Sequence, residues 1–455
     1  MNLRKRWRGY WFQRTPLIYL AVCRVVFVAF QLLQLSLLDR RGEFARLSAL
    51  PGELYHPLPI LRLLTLPVEW ATVGAVHWRA WQFQPSASVL EWVYWVTYLA
   101  GVLALIGFKT NPSLFVFATG SIFLQAFFYS FKDFHHPEAM LMIALAVLAF
   151  SPAGRVLSID DLRRRLAFSL KRQKFVDFHL AQRRSALAWW PLLLIQWTFA
   201  LVYFSAALSK LKGGGIDWAN GYTLQYYLLQ DGVRWGSALG VWLSGQHTLV
   251  WLASWMSLIF EGTFFLVVLV PVLAWIYIPA GIAFHTGVYA TMRAPFFHYF
   301  PLYLVFIPWL PAGSAILRWL GLAKSDKKPE ILFDGQCPLC IRSMTVLRYF
   351  DWFDCLTLRD LEQHGSSLRP NSGKVALQDL RREMHLITPD GAVRQGFFAF
   401  REALKYLPLL WPVLALLYVP FATMFGPKVY GFVAARRARW QQCDFDTCAV
   451  HSVRQ

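Results

Sequence analysis

The sequence predicts a polytopic α-helical membrane bundle of about eight spans, each near the ~20 residues that cross a hydrocarbon core, followed by a small C-terminal α/β domain. Three observations carry that fold class. The chain of 455 residues is 56% hydrophobic and only 16% charged, with a mean hydropathy of +0.39. A soluble protein averages about 25% charged residues, so there is too little polar surface here to coat a soluble body of this size. Apolar runs recur at spanning length, and the apolar character breaks after Leu322. The expected organisation is a membrane domain over 1–322, a polar linker over 323–329 and the α/β domain over 330–455.

The spans are expected at 17–38, 89–108, 113–131, 138–150 with its flanks, 188–209, 250–270, 272–292 and 299–320. The first is too long for the apolar core of a signal peptide and has no small-residue cleavage site after it, so no cleavable leader is expected. The region 39–87, rich in proline and tryptophan with scattered arginines, reads as short helices lying in the membrane interface.

Charge sets the orientation. The net charge is +19, and the basic residues fall between apolar runs, as in Arg4-Lys5-Arg6, Arg163-Arg164-Arg165 and Arg183-Arg184. That is the pattern of loops beside anionic headgroups, and no nucleic-acid module accompanies it. The N-terminus, the linker 155–184 and the segment carrying Arg318, Lys324, Lys327 and Lys328 are each basic. Eight crossings place all three in the cytoplasm of a multi-pass cell-membrane protein, with both termini inside.

Beyond the linker, 331–334 reads as a strand, 338–349 as a helix, and 384–388 with 392–395 as a hairpin turning at Pro389-Asp390-Gly391. The uncharged run 406–427 has basic flanks and is interrupted by Pro408, Pro412 and Pro420. It is expected to pack on the domain or on the membrane surface, with a ninth span as the alternative.

The sharpest local signal is Asp334-Gly335-Gln336-Cys337-Pro338-Leu339-Cys340. Cys337 falls at a helix cap with Pro338 at the first helical position, where a missing N–H loses nothing. A thiol there faces unpaired N–H groups and the positive end of the helix dipole, which favours the nucleophilic thiolate. Cys340, one turn on, can resolve a mixed disulfide, and Asp334 is close enough to move a proton. Strand, C-x-x-C and helix in that order form a thioredoxin-like signal. Two other readings stay open: structural zinc held by Cys337, Cys340, Cys443 and Cys448, and a pair of inert reduced thiols. Cys23 and Cys355 read as structural thiols.

With its hairpin and a basic, aromatic tail (Tyr430, Arg436, Arg437), this segment resembles the DCC-type thiol-disulfide oxidoreductase family over about 330–445. The resemblance implies a thioredoxin-like fold, disulfide exchange and a cytoplasmic thiol partner.

Titratable groups within or capping spans are costly, and each is a functional candidate. Span parity places His135 and His136, Lys210 and Lys212, His285, Arg293 and His298 toward the outer face, with Glu261 mid-way along the sixth span as a potential partner. The competing reading is that the lysines snorkel to headgroups and the histidines satisfy backbone groups. Tyr203-Phe204-Ser205-Ala206-Ala207-Leu208-Ser209-Lys210-Leu211, then Asp217-Trp218 and Gly221-Tyr222, with His136 and Phe284-His285, resembles vitamin K-dependent gamma-carboxylase and the broader horizontally transferred transmembrane domain family over roughly 10–320. The resemblance implies that Lys210 is a base deprotonating a reduced quinone, assisted by His136 and His285. The Gly213-Gly214-Gly215 insert and the lack of a large lumenal domain turn the expectation from protein carboxylation toward lipid or quinone chemistry at the outer leaflet.

The leading expectation is therefore a membrane oxidoreductase, among membrane lipids, with catalytic groups Cys337, Cys340, Asp334, Lys210, His136 and His285 and a quinone as cofactor or substrate. The alternative is a transporter or lipid-binding protein with a redox-sensing or zinc-stabilised cytoplasmic domain.

Overall fold

Sustained apolar sequence forms helix in a bilayer because only a helix satisfies every backbone polar group within one segment. The structure, a computed structural model, describes residues 3–37, 40–62, 84–131, 137–320, 328–361 and 382–436. Its principal helices in chain order are α1 (Leu17–Leu37), α2 (Ala87–Ile106), α3 (Thr110–Tyr129), α4 (Pro137–Ala149), α5 (Ile159–Lys171), α6 (Trp189–Gly214), α7 (His247–Thr263), α8 (Ala274–Met292), α9 (Trp309–Trp319), α10 (Pro338–Phe350), α11 (Gly396–Lys405), α12 (Trp411–Leu417) and α13 (Pro420–Ala435). The chain divides into two units: the described residues to Ser158 with Arg184–Ile307, and Ile159–Arg183 with the described residues from Pro308 on.

In the first unit five stretches are long and apolar enough to cross a membrane: α1, α2, α3, the Ala186–Asn220 stretch built on α6, and Pro271–Met292 containing α8. The described helices allow up to seven crossings when two bent pairs are each counted as one. Three expected runs depart from a single long helix. The fourth is α4, 13 residues, or about 20 Å against a core of about 30 Å. The sixth, α7, stops after 17 residues and is followed by the separate turn Leu266–Leu269. The eighth is broken between Phe306 and Trp309. There Ile307 is extended at φ −90°, ψ 125°, the conformation forced on a residue that precedes proline, here Pro308.

One buried charge anchors the bundle. Arg24, midway along α1, is 0% exposed. Its Nη1 donates to the carbonyl of Ala153 at 3.1 Å, and its Nη2 donates to that of Leu157. A cation in an apolar phase needs such partners, and backbone carbonyls in the turns between α4 and α5 supply them.

The second unit carries a four-stranded sheet of β1 (Glu330–Phe333), β2 (Thr357–Asp360), β3 (His385–Ile387) and β4 (Val393–Gln395), in the order β2-β1-β3-β4. β1 and β2 are parallel, joined through α10, while β3 is antiparallel to both β1 and β4. The β3–β4 hairpin closes at the expected turn, with the Thr388 N–H donating to the Ala392 carbonyl at 2.9 Å and Gly391 at φ +86°. Ile331, Phe333, Met344, Leu386 and Leu404 form the core. Along 406–427 the chain forms α12 and the start of α13, bent by 97° relative to one another. Leu410, Leu414 and Leu417 pack on that core.

The basic segment 155–184 is more than a loop. Ile159–Arg183 belongs to the second unit, and its Phe175 is buried in that unit's core, edge-on to Phe333 at 5.2 Å between ring centroids. The tie is Arg348 of α10, 2% exposed. Its guanidinium donates twice to Asp177 at 2.7 and 3.0 Å, and also to Asp351 at 2.7 Å, Asp354 at 3.2 Å and the Leu356 carbonyl at 2.9 Å. Asp351 in turn accepts the N–H groups of Cys355 and Leu356 at 2.7 and 3.0 Å. Removing one partner of a buried charge network destabilises by roughly 3–5 kcal/mol, because the remaining charges stay buried. Arg348→Ala is therefore expected to expose Cys355 in detergent-solubilised protein, read as faster pulse alkylation of that thiol at a denaturant concentration where the wild type is protected.

Candidate functional site

The C-x-x-C loop is built by the end of β1 and the first turn of α10. Cys337 is the N-cap: its Sγ accepts a hydrogen bond from the Cys340 N–H at 3.3 Å, and Pro338 follows at the first helical position. Asp334, buried at the end of β1, holds the loop by accepting the Gln336 N–H at 2.9 Å. Both cysteines are reduced, Cys337 fully buried and Cys340 partly exposed. The sequence names Cys337 as the attacking thiol; the fold gives it the helix cap but leaves Cys340 as the more open sulfur. Cys340 and Asp334 lie on the wall of an apolar cavity within this unit.

A second carboxylate, which motif reading did not single out, adjoins the loop. Asp360 ends β2 in register with Phe333 and is buried. A Cβ on Gly335 would lie 2.0–2.2 Å from its carboxyl atoms, so only glycine lets the C-x-x-C loop pass this close to the acid. The signal was present only as an acid closing a short strand, which acquires meaning through the parallel pairing of β1 with β2.

In the first unit Lys210, near the end of α6, forms an ion pair with Glu261 of α7, and its Nζ lies 5.2 Å from the centre of the Trp218 ring. His285 of α8 is buried, and its Nε2 shares a hydrogen bond of 2.6 Å with the Tyr203 hydroxyl, which is also bonded to Tyr303. Phe296 stacks on the imidazole at 5.0 Å and Tyr299 meets it edge-on at 4.9 Å. Tyr203 and Lys210, seven positions apart on α6, fall on nearly the same helix face about 10 Å apart along the axis. The structure thus brings Lys210 to Glu261 and His285 to two tyrosines. His298 is buried against Phe30 at 5.4 Å, and Arg293 caps the end of α8 at φ +56°. His135 and His136 lie outside the described residues.

Residues 68–309 match the HTTM domain, a membrane domain like that of vitamin K-dependent carboxylase, across more than half of the chain. The chain belongs to the HTTM domain family. Residues 331–443 of this HTTM protein match the DCC1-like thiol-disulfide oxidoreductase domain, and no curated protein and no solved structure matches the chain. Lys210, Glu261 and His285 fall within the first match, and Asp334, Cys337, Cys340 and Asp360 within the second. Together the two matches and the apolar helices describe a multi-pass membrane protein with an oxidoreductase-type domain.

Among the described residues no group of three or more His, Cys, Asp or Glu side chains is placed to hold a metal ion. The zinc reading needs Cys443 and Cys448, which lie outside the described residues. Cys355 differs from the dithiol in kind: burial, then the neighbouring Asp351 carboxylate, pushes its thiol up to about 12. Its thiolate is scarce below that value, so alkylation by iodoacetamide across pH 7–9 should modify the partly exposed Cys340 well before Cys355. Peptide mass spectrometry of the full-length protein checks the order; equal rates at these two thiols would remove the special character of the motif.

Proposed function

We propose that the protein is an integral-membrane thiol-disulfide oxidoreductase, with Cys337 and Cys340 as its dithiol. The observation that carries this reading is the capped geometry of Cys337, whose sulfur accepts an N–H at the N-terminus of α10 one turn before a partly open second thiol. Such a position favours an anionic sulfur. The succession β1–α10–β2 in parallel, then β3–β4–α11 through an antiparallel hairpin, supports a thioredoxin-like fold. In reducing a substrate disulfide, one thiolate attacks a substrate sulfur and releases the other as a thiolate. The second thiol then displaces the reduced substrate from the mixed disulfide, leaving Cys337–Cys340 oxidised. Asp334 and Asp360 stand close enough to the loop to take the protons released.

The basic N-terminus, the basic 155–184 segment and the basic residues around 318–328 favour a cytoplasmic dithiol in a cell-membrane protein with eight crossings and both termini inside. Purified protein is expected to exchange with glutathione disulfide, with turnover abolished by Cys337→Ser or Cys340→Ser. A reporter fused after Lys328 should give a cytoplasmic signal in cells; an external signal would overturn the topology.

A second site is supported by the Lys210–Glu261 pair beside the Tyr203–His285–Tyr303 chain. We assign to it quinone- or lipid-type chemistry, with His136 as a further helper. A lysine acts as a base only as the neutral amine. Glu261, in direct contact, is the group to which the Lys210 ammonium can pass its proton before the amine takes one from a hydroquinone hydroxyl. Lipid extracts of purified wild-type protein should then contain a quinone that is depleted in Lys210→Met and retained in Cys337→Ser. Equal quinone in both variants would detach Lys210 from the chemistry.

A further inference from the structure

The dithiol opens onto a cavity of about 600 Å³ inside the second unit. That volume lies in the ~300–1,000 Å³ range of small-molecule sites. Asp334, Cys340 and Met344 line it from the C-x-x-C side, and Phe421, Phe425 and Tyr430 line it from α13. Phe397 and Phe400 of α11 close the floor. Gly426 permits the approach of α13, since a Cβ there would lie 2.4 Å from the Phe397 ring. The lining is aromatic and aliphatic almost throughout, its polar groups being Asp334, Cys340 and Ser343 with the Tyr430 hydroxyl on α13.

Two features decide the class of occupant. A protein strand laid along the cavity would need main-chain partners there, yet the Met384 N–H donates to the Tyr430 hydroxyl at 3.1 Å and the Met384 carbonyl accepts from Gly396 N–H at 2.9 Å. Both are already used. The cavity is open along α13, where its lining residues Phe421 and Val429 are exposed beside Met424 and Phe432. Exposed apolar faces mark protein or membrane contact surfaces, and on a chain with membrane spans such a face favours the entry of lipid-soluble molecules.

We propose that the cavity binds a quinone ring and that the quinone is the oxidant of the Cys337–Cys340 dithiol. This rests on the dithiol reading with the exchange run in reverse: a substrate dithiol reduces the Cys337–Cys340 disulfide by exchange, and the quinone reoxidises the pair. Two S–H bonds break and one S–S bond forms. The electron pair enters the ring, and each quinone oxygen gains one proton, so dithiol plus quinone gives disulfide plus hydroquinone. Cys340, on the cavity wall, is the sulfur that meets the ring, and Cys337 closes the disulfide from behind. The aromatic side chains position the ring by stacking.

The test uses reduced full-length protein in detergent without oxygen, with duroquinone as the probe because its fully substituted ring cannot add thiols. Glutathione disulfide is the comparison oxidant. Duroquinone is expected to convert Cys337 and Cys340 to the disulfide, with hydroquinone formed in equal amount. Ala422→Trp, which fills the cavity from α13, should slow that reaction about tenfold or more, the scale on which pocket shape discriminates, and slow glutathione disulfide exchange clearly less. Excess durene, an inert ring of the same shape, should slow only the quinone reaction of the wild type and decides the matter if Ala422→Trp does not fold. A quinone rate untouched by the variant or by durene, or both oxidants slowed alike, overturns the cavity assignment. A dithiol inert toward both oxidants overturns the dithiol reading itself.

Discussion

A buried guanidinium needs acceptors for its N–H groups, and Arg348 is buried to 2% exposure. This requirement organises the second unit. Asp351 and Asp354 are local, but the bidentate partner, Asp177, comes from a segment far away in the chain. That segment leaves the first unit after Ser158 and returns to it at Arg184. Meeting the charge of Arg348 therefore commits Ile159–Arg183 to the dithiol domain, and Phe175 follows into the core against Phe333. Phe333 is two residues from Gly335, so the strand that presents the C-x-x-C loop is held from beneath by the inserted segment. Isolated buried charge pairs contribute little net stability, but a broken one is strongly destabilising; the network acts as a constraint on which segments must be together.

The same rule governs the helical unit with different partners. Arg24 is met by carbonyls at 153 and 157, which close the loop leading out of the bundle. Lys210 is met by Glu261, and His285 by a tyrosine hydroxyl within a cluster of rings. Arg24 serves packing, because its partners are backbone groups that cannot change charge. Lys210 and Glu261 can both exchange protons, which is the chemical difference between a structural cation and a candidate base.

At the dithiol, accessibility and activation are divided between the two sulfurs. The helix cap lies at Cys337 and the opening lies at Cys340. In this fold Cys337 is fully buried, while Cys340 one turn on is partly exposed. Asp334 and Asp360 approach from the ends of two parallel strands, and the missing side chain of Gly335 makes room for the second of them. Cys355, although on the same domain, is pushed up to about 12 by burial and by Asp351, which keeps it a thiol at neutral pH.

Periodicity and composition by themselves determined the helical bundle, the small sheet beyond residue 330, the C-x-x-C helix and the hairpin at Pro389-Asp390-Gly391, because these depend on near neighbours. They marked Lys210, Glu261 and His285 for the same local reason: charge and imidazole stand out in an apolar run. Helix continuity at Ile307-Pro308 was legible in the proline and yielded to the longer apolar pattern around it. Only the tertiary structure decided the pairings, since they join positions distant in sequence. These are Asp177 with Arg348, Lys210 with Glu261, Tyr203 with His285, and Asp360 beside Gly335. The cavity is the extreme case. Its walls come from β1, α10, α11 and α13, and no one of these apolar segments differs in sequence from an ordinary core segment. What distinguishes them is a space left unfilled where they meet a thiol, and that follows from packing, which no local pattern encodes.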